Sequence, residues 1–154
     1  MGTLDGTDSV DVDAPLERVF AIVADIERAP AWQVALKEVH VLERDGEGRP
    51  LLVDTVADAQ VKELSLQLRF SYLGAPGRLS FEKVHGDLKA LQGTWTLEEL
   101  APGRTRVTYT LHGDPGRMLG MLIRGPVETR ILEMLIHAPI RGLKVQAESD
   151  AAAA

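Results

Sequence analysis

The sequence contains no cysteine among its 154 residues. That excludes a disulfide framework, a thiol nucleophile and a thiolate metal site. Aromatic residues are scarce, at 5%, so Trp32 and Trp95 stand out. Positive charge is in deficit, with 17 Lys and Arg against 23 Asp and Glu, a net charge of −6. A protein that neutralises phosphates would show a basic stretch. None is visible, so nucleic acid is not an expected partner, and the same deficit argues against tight binding to anionic membranes. No apolar run approaches the roughly 20 residues of a membrane span. The opening residues, Met1 to Ser9, carry neither the basic nor the apolar stretch of a secretory signal. The expectation is a cytoplasmic protein with no stable membrane insertion.

Catalytic signatures are missing too. The histidines are His40, His85, His112 and His137, and none forms an HxH or HExxH pair. No Asp/Glu cluster has ligand spacing, so no metal is expected. There is no G-x-S-x-G elbow, P-loop or G-x-G-x-x-G, and no cofactor is expected. His137 falls one helical turn beyond Glu133, which reads as a solvated i,i+4 pair. His85 and His112 are expected to be exposed, in a hairpin turn and at a strand end.

What is present is 45% hydrophobic residues, enough for one core and too few for two comfortable ones. Residues Arg78 to Leu111 hold three runs of alternating apolar and polar residues. Leu79 and Phe81 mark the first, Leu91, Trp95 and Leu97 the second, Val107, Tyr109 and Leu111 the third. Their connectors are His85-Gly86-Asp87 and Ala101-Pro102-Gly103. The pattern predicts an antiparallel meander with one apolar face. Lys62 to Tyr72 predicts a further strand, with Leu64, Leu66, Leu68, Phe70 and Tyr72 on one side. Less regular strands are predicted over Ser9–Asp13, Val34–Arg44 and Leu51–Ala59.

Helical spacing recurs in Leu16, Val19, Phe20 and Val23, behind Pro15 in a helix-starting position. A short turn from Asp25 to Trp32 follows, expected to break before Pro30. Met118 to Ile123 form an apolar segment bounded by Gly125. Pro126 opens a long helix to about Gln146, with Arg130, Glu133, His137, Arg141 and Lys144 on a polar stripe. Val127, Ile131, Met134, Leu135 and Ala138 lie on its apolar side. Pro139 removes one hydrogen bond, to the Leu135 carbonyl, and predicts a kink.

The order strand, two short helices, six strands and a long helix is an α+β pattern, with a curved antiparallel sheet of about seven strands gripping the C-terminal helix. Three segments carry a family resemblance. Val12-Asp13-Ala14-Pro15 with Val19-Phe20 leads into Asp25 to Trp32. Val84-His85-Gly86-Asp87 leads to Gly93-Thr94-Trp95. Gly103-Arg104-Thr105-Arg106-Val107-Thr108-Tyr109 precedes the long helix. Together they resemble the START-like, SRPBCC helix-grip superfamily, in its polyketide cyclase/dehydrase and coenzyme-Q-binding branch. The resemblance covers nearly the whole chain, and the expected domain is a single one over residues 8–147, with 1–7 and 148–154, ending in four alanines, as loose termini. The resemblance implies a cavity between sheet and helix that holds a lipid, isoprenoid, polyketide or similar ligand.

The candidate ligand-binding residues are those on the apolar faces. They are Trp32; Leu66, Leu68, Phe70 and Tyr72; Phe81, Trp95 and Tyr109; Met118, Met121 and Leu122; and Ile131, Met134 and Leu135. Met118 to Ile123 would act as a lid, or its exposed leucines would make a homodimer contact. A cavity-facing phenol of Tyr72 or Tyr109 could orient a ligand; the competing reading is a core tyrosine whose hydroxyl reaches the surface. Asp54 and Asp58 share a strand face, and the solvent side is the expected one. No residue is assigned a catalytic role. Binding of a hydrophobic small molecule is the first reading. A polyketide aromatase, cyclase or dehydratase is the second, and a ligand-free protein-interaction module the third.

Overall fold

Alternation of residue type becomes alternation of burial. In β4 (Glu63–Ser71), Leu64, Leu66, Leu68 and Phe70 are buried while Glu63, Ser65, Arg69 and Ser71 are exposed. The same rule buries Leu91, Gly93, Trp95 and Leu97 in β6 (Ala90–Ala101) and Thr105, Val107, Tyr109 and Leu111 in β7 (Arg104–Asp114). Period-2 residues share one sheet face, and only that face is covered. The computed structural model describes residues 3–59 and 62–153, the last four by backbone alone.

The other strands are β1 (Gly6–Val12), β2 (Leu36–Arg44), β3 (Pro50–Asp58) and β5 (Arg78–Gly86). Together the seven form one antiparallel sheet in the order β1-β7-β6-β5-β4-β3-β2. Register shifts interrupt β2–β3 and β4–β5, and such bulges bend a sheet. Beyond the β4–β5 shift, where it pairs with Leu66, Gly86 has φ +130°, and a Cβ there would lie 2.3 Å from the Ser65 carbonyl oxygen. Only glycine meets both demands.

Between β1 and β2 run α1 (Leu16–Ala24) and a 3₁₀ helix, Ile26–Ala31. The expected break before Pro30 does not occur. Pro30 sits inside the 3₁₀ helix, where the ring's missing N–H costs a single short-range bond. After β7 come α2 (Arg117–Leu122) and α3 (Pro126–Leu132). A π-helical turn, Glu133–His137, then leads into α4 (Ala138–Ala153). The disruption expected from Pro139 is therefore a π turn, in which the Ala138 N–H reaches back five residues to the Glu133 carbonyl. The wider turn precedes the ring that would otherwise crowd the Leu135 carbonyl.

The π turn also resets the buried face. Ile131, Ile136, Ile140, Leu143 and Ala147 are buried. The step of five from Ile131 to Ile136 spans the π turn, and steps of four, three and four follow. An unbroken α-helix would instead favour Met134, Leu135 and Ala138, as the sequence pattern predicts.

The helix is seated closely on the rest of the chain. A Cβ on Gly142 would come within 1.9 Å of the Trp32 carbonyl oxygen. Lys144 Nζ donates to the Asp11 carbonyl at 2.8 Å and to Glu148 Oε2 at 2.7 Å, and Glu148 Oε2 accepts from the Asp13 N–H at 2.9 Å. Fully buried Thr105 donates to the Ala14 carbonyl at 2.8 Å. These bonds tie the β1–α1 connection to β7 and α4.

Order extends further at both ends than expected. Leu4 is fully buried and β1 begins at Gly6, so residues 4–7 pack rather than hang free, because Leu4 completes the core beside Gly113. The last helix reaches Ala153, and the Lys144–Glu148 bond lies within it. Met1, Gly2 and Ala154 lie outside the described residues.

Candidate functional site

The inner sheet face and the helix do not close completely on one another. A cavity of about 90 Å³ remains, lined by Gln33, Ala35, Leu36, Thr55, Ala57, Leu64, Leu66, Leu68, Phe81, Leu88, Leu91, Tyr109, Leu111, Met134, Leu135 and Pro139. Strands β2 to β7 each contribute to it. The π turn and Pro139 supply the opposite wall.

Phe81 reaches this wall because Gly93 stands opposite it in β6. A Cβ on Gly93 would fall 2.2 Å from Phe81 Cζ. Phe81 then lies 5.6 Å from Phe70 and 6.5 Å from Tyr109, ring centre to ring centre. Trp95 stacks on Tyr109 at 4.1 Å, and Trp32 meets Trp95 edge-on at 5.9 Å. Aromatic side chains from the 3₁₀-helix end and from β4 to β7 thus form one connected cluster.

Six of the sequence candidates line the cavity: Leu66, Leu68, Phe81, Tyr109, Met134 and Leu135. Trp32, Phe70 and Trp95 are buried behind that lining, and Ile131 is fully buried in the helix seat. Tyr72 lies past the end of β4. Its hydroxyl donates to the Pro50 carbonyl at 2.6 Å, and the Arg49 guanidinium sits 4.3 Å above its ring. Burial, reinforced by the negative charge of Asp45, pushes the Tyr72 phenol up to about 12. Met118, Met121 and Leu122 on α2 are 84%, 57% and 58% exposed and do not reach the cavity. The lining residues that the sequence reading omitted include Gln33, Thr55, Ala57, Leu88 and Pro139. Leu64 and Leu111 were visible in strand alternation, but nothing local marks Gln33.

The polar groups in the lining are few. Thr55 Oγ1 donates to the Leu66 carbonyl at 3.0 Å. The side chains of Tyr109 and Gln33 make no hydrogen bond among the described residues. Burial raises the Tyr109 phenol well above its ordinary value, which keeps it a neutral hydrogen-bond donor.

Titratable groups face elsewhere. Asp54 is on the opposite sheet face, accepting from Gln67 Nε2 at 3.2 Å. His137 does not pair with Glu133. Its Nδ1 lies 2.9 Å from Asp8 Oδ2 on β1, while Glu133 pairs with Arg141. The π turn rotates His137 towards the sheet edge, which sequence spacing alone could not indicate. Among the described residues no group of three or more His, Asp or Glu could hold a metal ion. Among the described residues no helix is long and apolar enough to cross a membrane.

A wider cleft of about 680 Å³ lies on the outside, between α1, the 3₁₀ helix and α4. Its lining is strongly charged, with Arg18, Asp25, Glu27 and Arg28, of which Asp25 pairs with Arg28 and Glu27 with Arg44. The smaller cavity is the candidate site because it is apolar and lined by residues of six strands.

The model of a protein family described as polyketide cyclase/dehydrase and lipid transport matches residues 12–139. No curated protein matches the sequence. Among solved structures, a START superfamily protein from Mycobacterium smegmatis superposes with a TM-score of 0.82 at 20% identity, covering 96% of this chain and 99% of that one. A protein from Thermus thermophilus gives 0.81 at 22% identity, with 96% and 99% covered. The Zhui aromatase/cyclase from a Streptomyces species gives 0.78 at 19% identity, with 97% and 96% covered. These likenesses establish the helix-grip fold.

Proposed function

The chain belongs to the polyketide cyclase/dehydrase and lipid transport family, and from that premise we propose that it binds a hydrophobic small molecule, such as a lipid, isoprenoid or polyketide, in the cavity between sheet and C-terminal helix. The observation that carries the proposal is the character of the lining, which is almost wholly aliphatic and aromatic with two unengaged polar side chains. Each Å² of apolar ligand surface taken from water contributes roughly 25 cal/mol, so affinity comes from desolvation and orientation from the polar pair.

At about 90 Å³ the cavity has room for only a few water-sized groups. Ligand pockets run to roughly 300 Å³ or more. Entry of such a ligand requires the wall to move, and the π turn is the part of the wall we propose yields. Its backbone is already out of α-helical register, and Met134 is flexible enough to fit irregular shapes.

Binding is favoured over catalysis because the lining lacks an acid–base pair. A cyclase or dehydratase moves protons through groups within hydrogen-bond reach of substrate. Among the described residues, Tyr109 is the sole ionisable residue in the lining, and burial holds it protonated. A filled core, as an interaction module would have, does not match the gap between Leu66 and Leu135.

The test is a titration with Nile red, an uncharged dye that brightens in apolar surroundings. The proposal expects saturable, blue-shifted emission, weakened at least fivefold by Ala57→Leu, which fills the cavity. Emission unchanged by the protein, or equal in a folded Ala57→Leu variant, would count against it.

A further inference from the structure

Among the described residues, the cavity lining contains no carboxylate, ammonium, guanidinium or imidazole group. Charged residues at register positions beside it are already engaged. Asp8, paired in register with Tyr109, holds His137 at 2.9 Å. Lys83, paired with Leu68, donates to the Lys89 carbonyl at 3.4 Å. Of the lining's polar side chains, Thr55 has its proton committed to the Leu66 carbonyl, which leaves Tyr109 and Gln33. A buried charge without a counter-ion is strongly unfavourable, whereas a neutral acceptor needs one donor.

Resting on the proposal that this cavity is the ligand site, we infer that the bound part of the ligand is uncharged and bears a carbonyl-type oxygen received by the Tyr109 hydroxyl and the Gln33 carboxamide. Free carboxylates and phosphates are excluded from the cavity. The phenol keeps its proton at all ordinary pH because burial raises it, so it is always available to donate. Trp95 stacks on its ring at 4.1 Å, and the Phe81 ring lies 6.5 Å away. A carboxylate would place its charge against a lining with no cationic group among the described residues, and would have to shed its water to enter.

A matched pair of probes tests this. Methyl decanoate and decanoate differ in charge and carry the same ten-carbon acyl chain. Their binding at pH 7.5 is followed through Trp95 emission, since Trp95 stacks on Tyr109. The ester is expected to bind at least tenfold more tightly than the acid. Tyr109→Phe and Gln33→Leu are each expected to weaken the ester several-fold while leaving 1-decene, which lacks an oxygen, unaffected. Decanoate binding as tightly as the ester would overturn the inference and leave ligand binding intact. Ester affinity unchanged in both variants would overturn the assigned roles of Tyr109 and Gln33. Failure of the ester, the acid and 1-decene alike would overturn the underlying proposal of a ligand site.

Discussion

The rings of Trp95 and Tyr109 stack with centres 4.1 Å apart and planes 22° from parallel, directly opposite one another on β6 and β7. The stack braces a phenol whose hydroxyl finds no partner among the described residues. Stability and binding are therefore separable at this residue.

Tyr109→Phe should cost little stability, under about 0.5 kcal/mol, because no intramolecular hydrogen bond is lost; an engaged hydroxyl would cost about 1 kcal/mol. Tyr109→Ala should cost roughly 3–5 kcal/mol by analogy with other large-to-small aromatic core changes. Urea denaturation of both variants checks the contrast. A loss above about 1 kcal/mol in Tyr109→Phe would mean the hydroxyl is holding the fold together.

Gly142→Ala poses a contest between two effects. In a helix interior alanine is favoured over glycine by about 1 kcal/mol. Here the new methyl would sit 1.9 Å from the Trp32 carbonyl oxygen, a backbone atom that cannot swing aside. Overpacking of roughly 1–3 kcal/mol should exceed the propensity gain and lower Tm. A raised Tm would show that the helix can lift from the Trp32 carbonyl at little cost.

Gly93→Ala should destabilise by roughly 1–3 kcal/mol for the same kind of reason, since the methyl would overlap Phe81 Cζ. Adding Phe81→Leu should recover part of the loss, because the obstruction is a side chain rather than backbone. A double-mutant cycle from chemical denaturation reads the coupling, and strict additivity would contradict the contact.

The latch at the end of α4 should respond to acid. The hydrogen bond from Lys144, and then that from the Asp13 N–H, hold the Glu148 carboxyl below its ordinary value of 4.5. A carboxyl lowered on folding stabilises the native state fully above its unfolded value and loses that contribution as pH falls through its folded value. Stability should therefore drop below about pH 4.5. Glu148→Gln should flatten that part of the curve while keeping an acceptor for Asp13. Urea midpoints measured from about pH 6 down to about pH 3 decide it, and parallel curves would remove Glu148 from the account.

Strand alternation made β4 to β7 readable in advance, because each of those strands buries one face and wets the other. Leu66, Leu68, Phe81 and Tyr109 follow directly from that rule. The helix side was harder. Pro139 announced a disruption, but local spacing could not say that it would be a π turn, nor that the turn would move the buried face to Ile136 and Ile140. The pairing of His137 with Asp8 was hidden for the same reason. Gln33 and Thr55 escaped notice because cavity polar groups are chosen by long-range geometry, with no periodic signature. The exposed apolar side chains of α2 look like lining residues in sequence, and the fold leaves them outside.

The central claim is that the gap between sheet and helix is a ligand site. Native mass spectrometry of protein freshly purified from cells, and again after exposure to a total lipid extract, tests it most directly. The account predicts a retained, uncharged apolar adduct at one per chain, lost on Ala57→Leu. A clean unliganded mass under both conditions would contradict it.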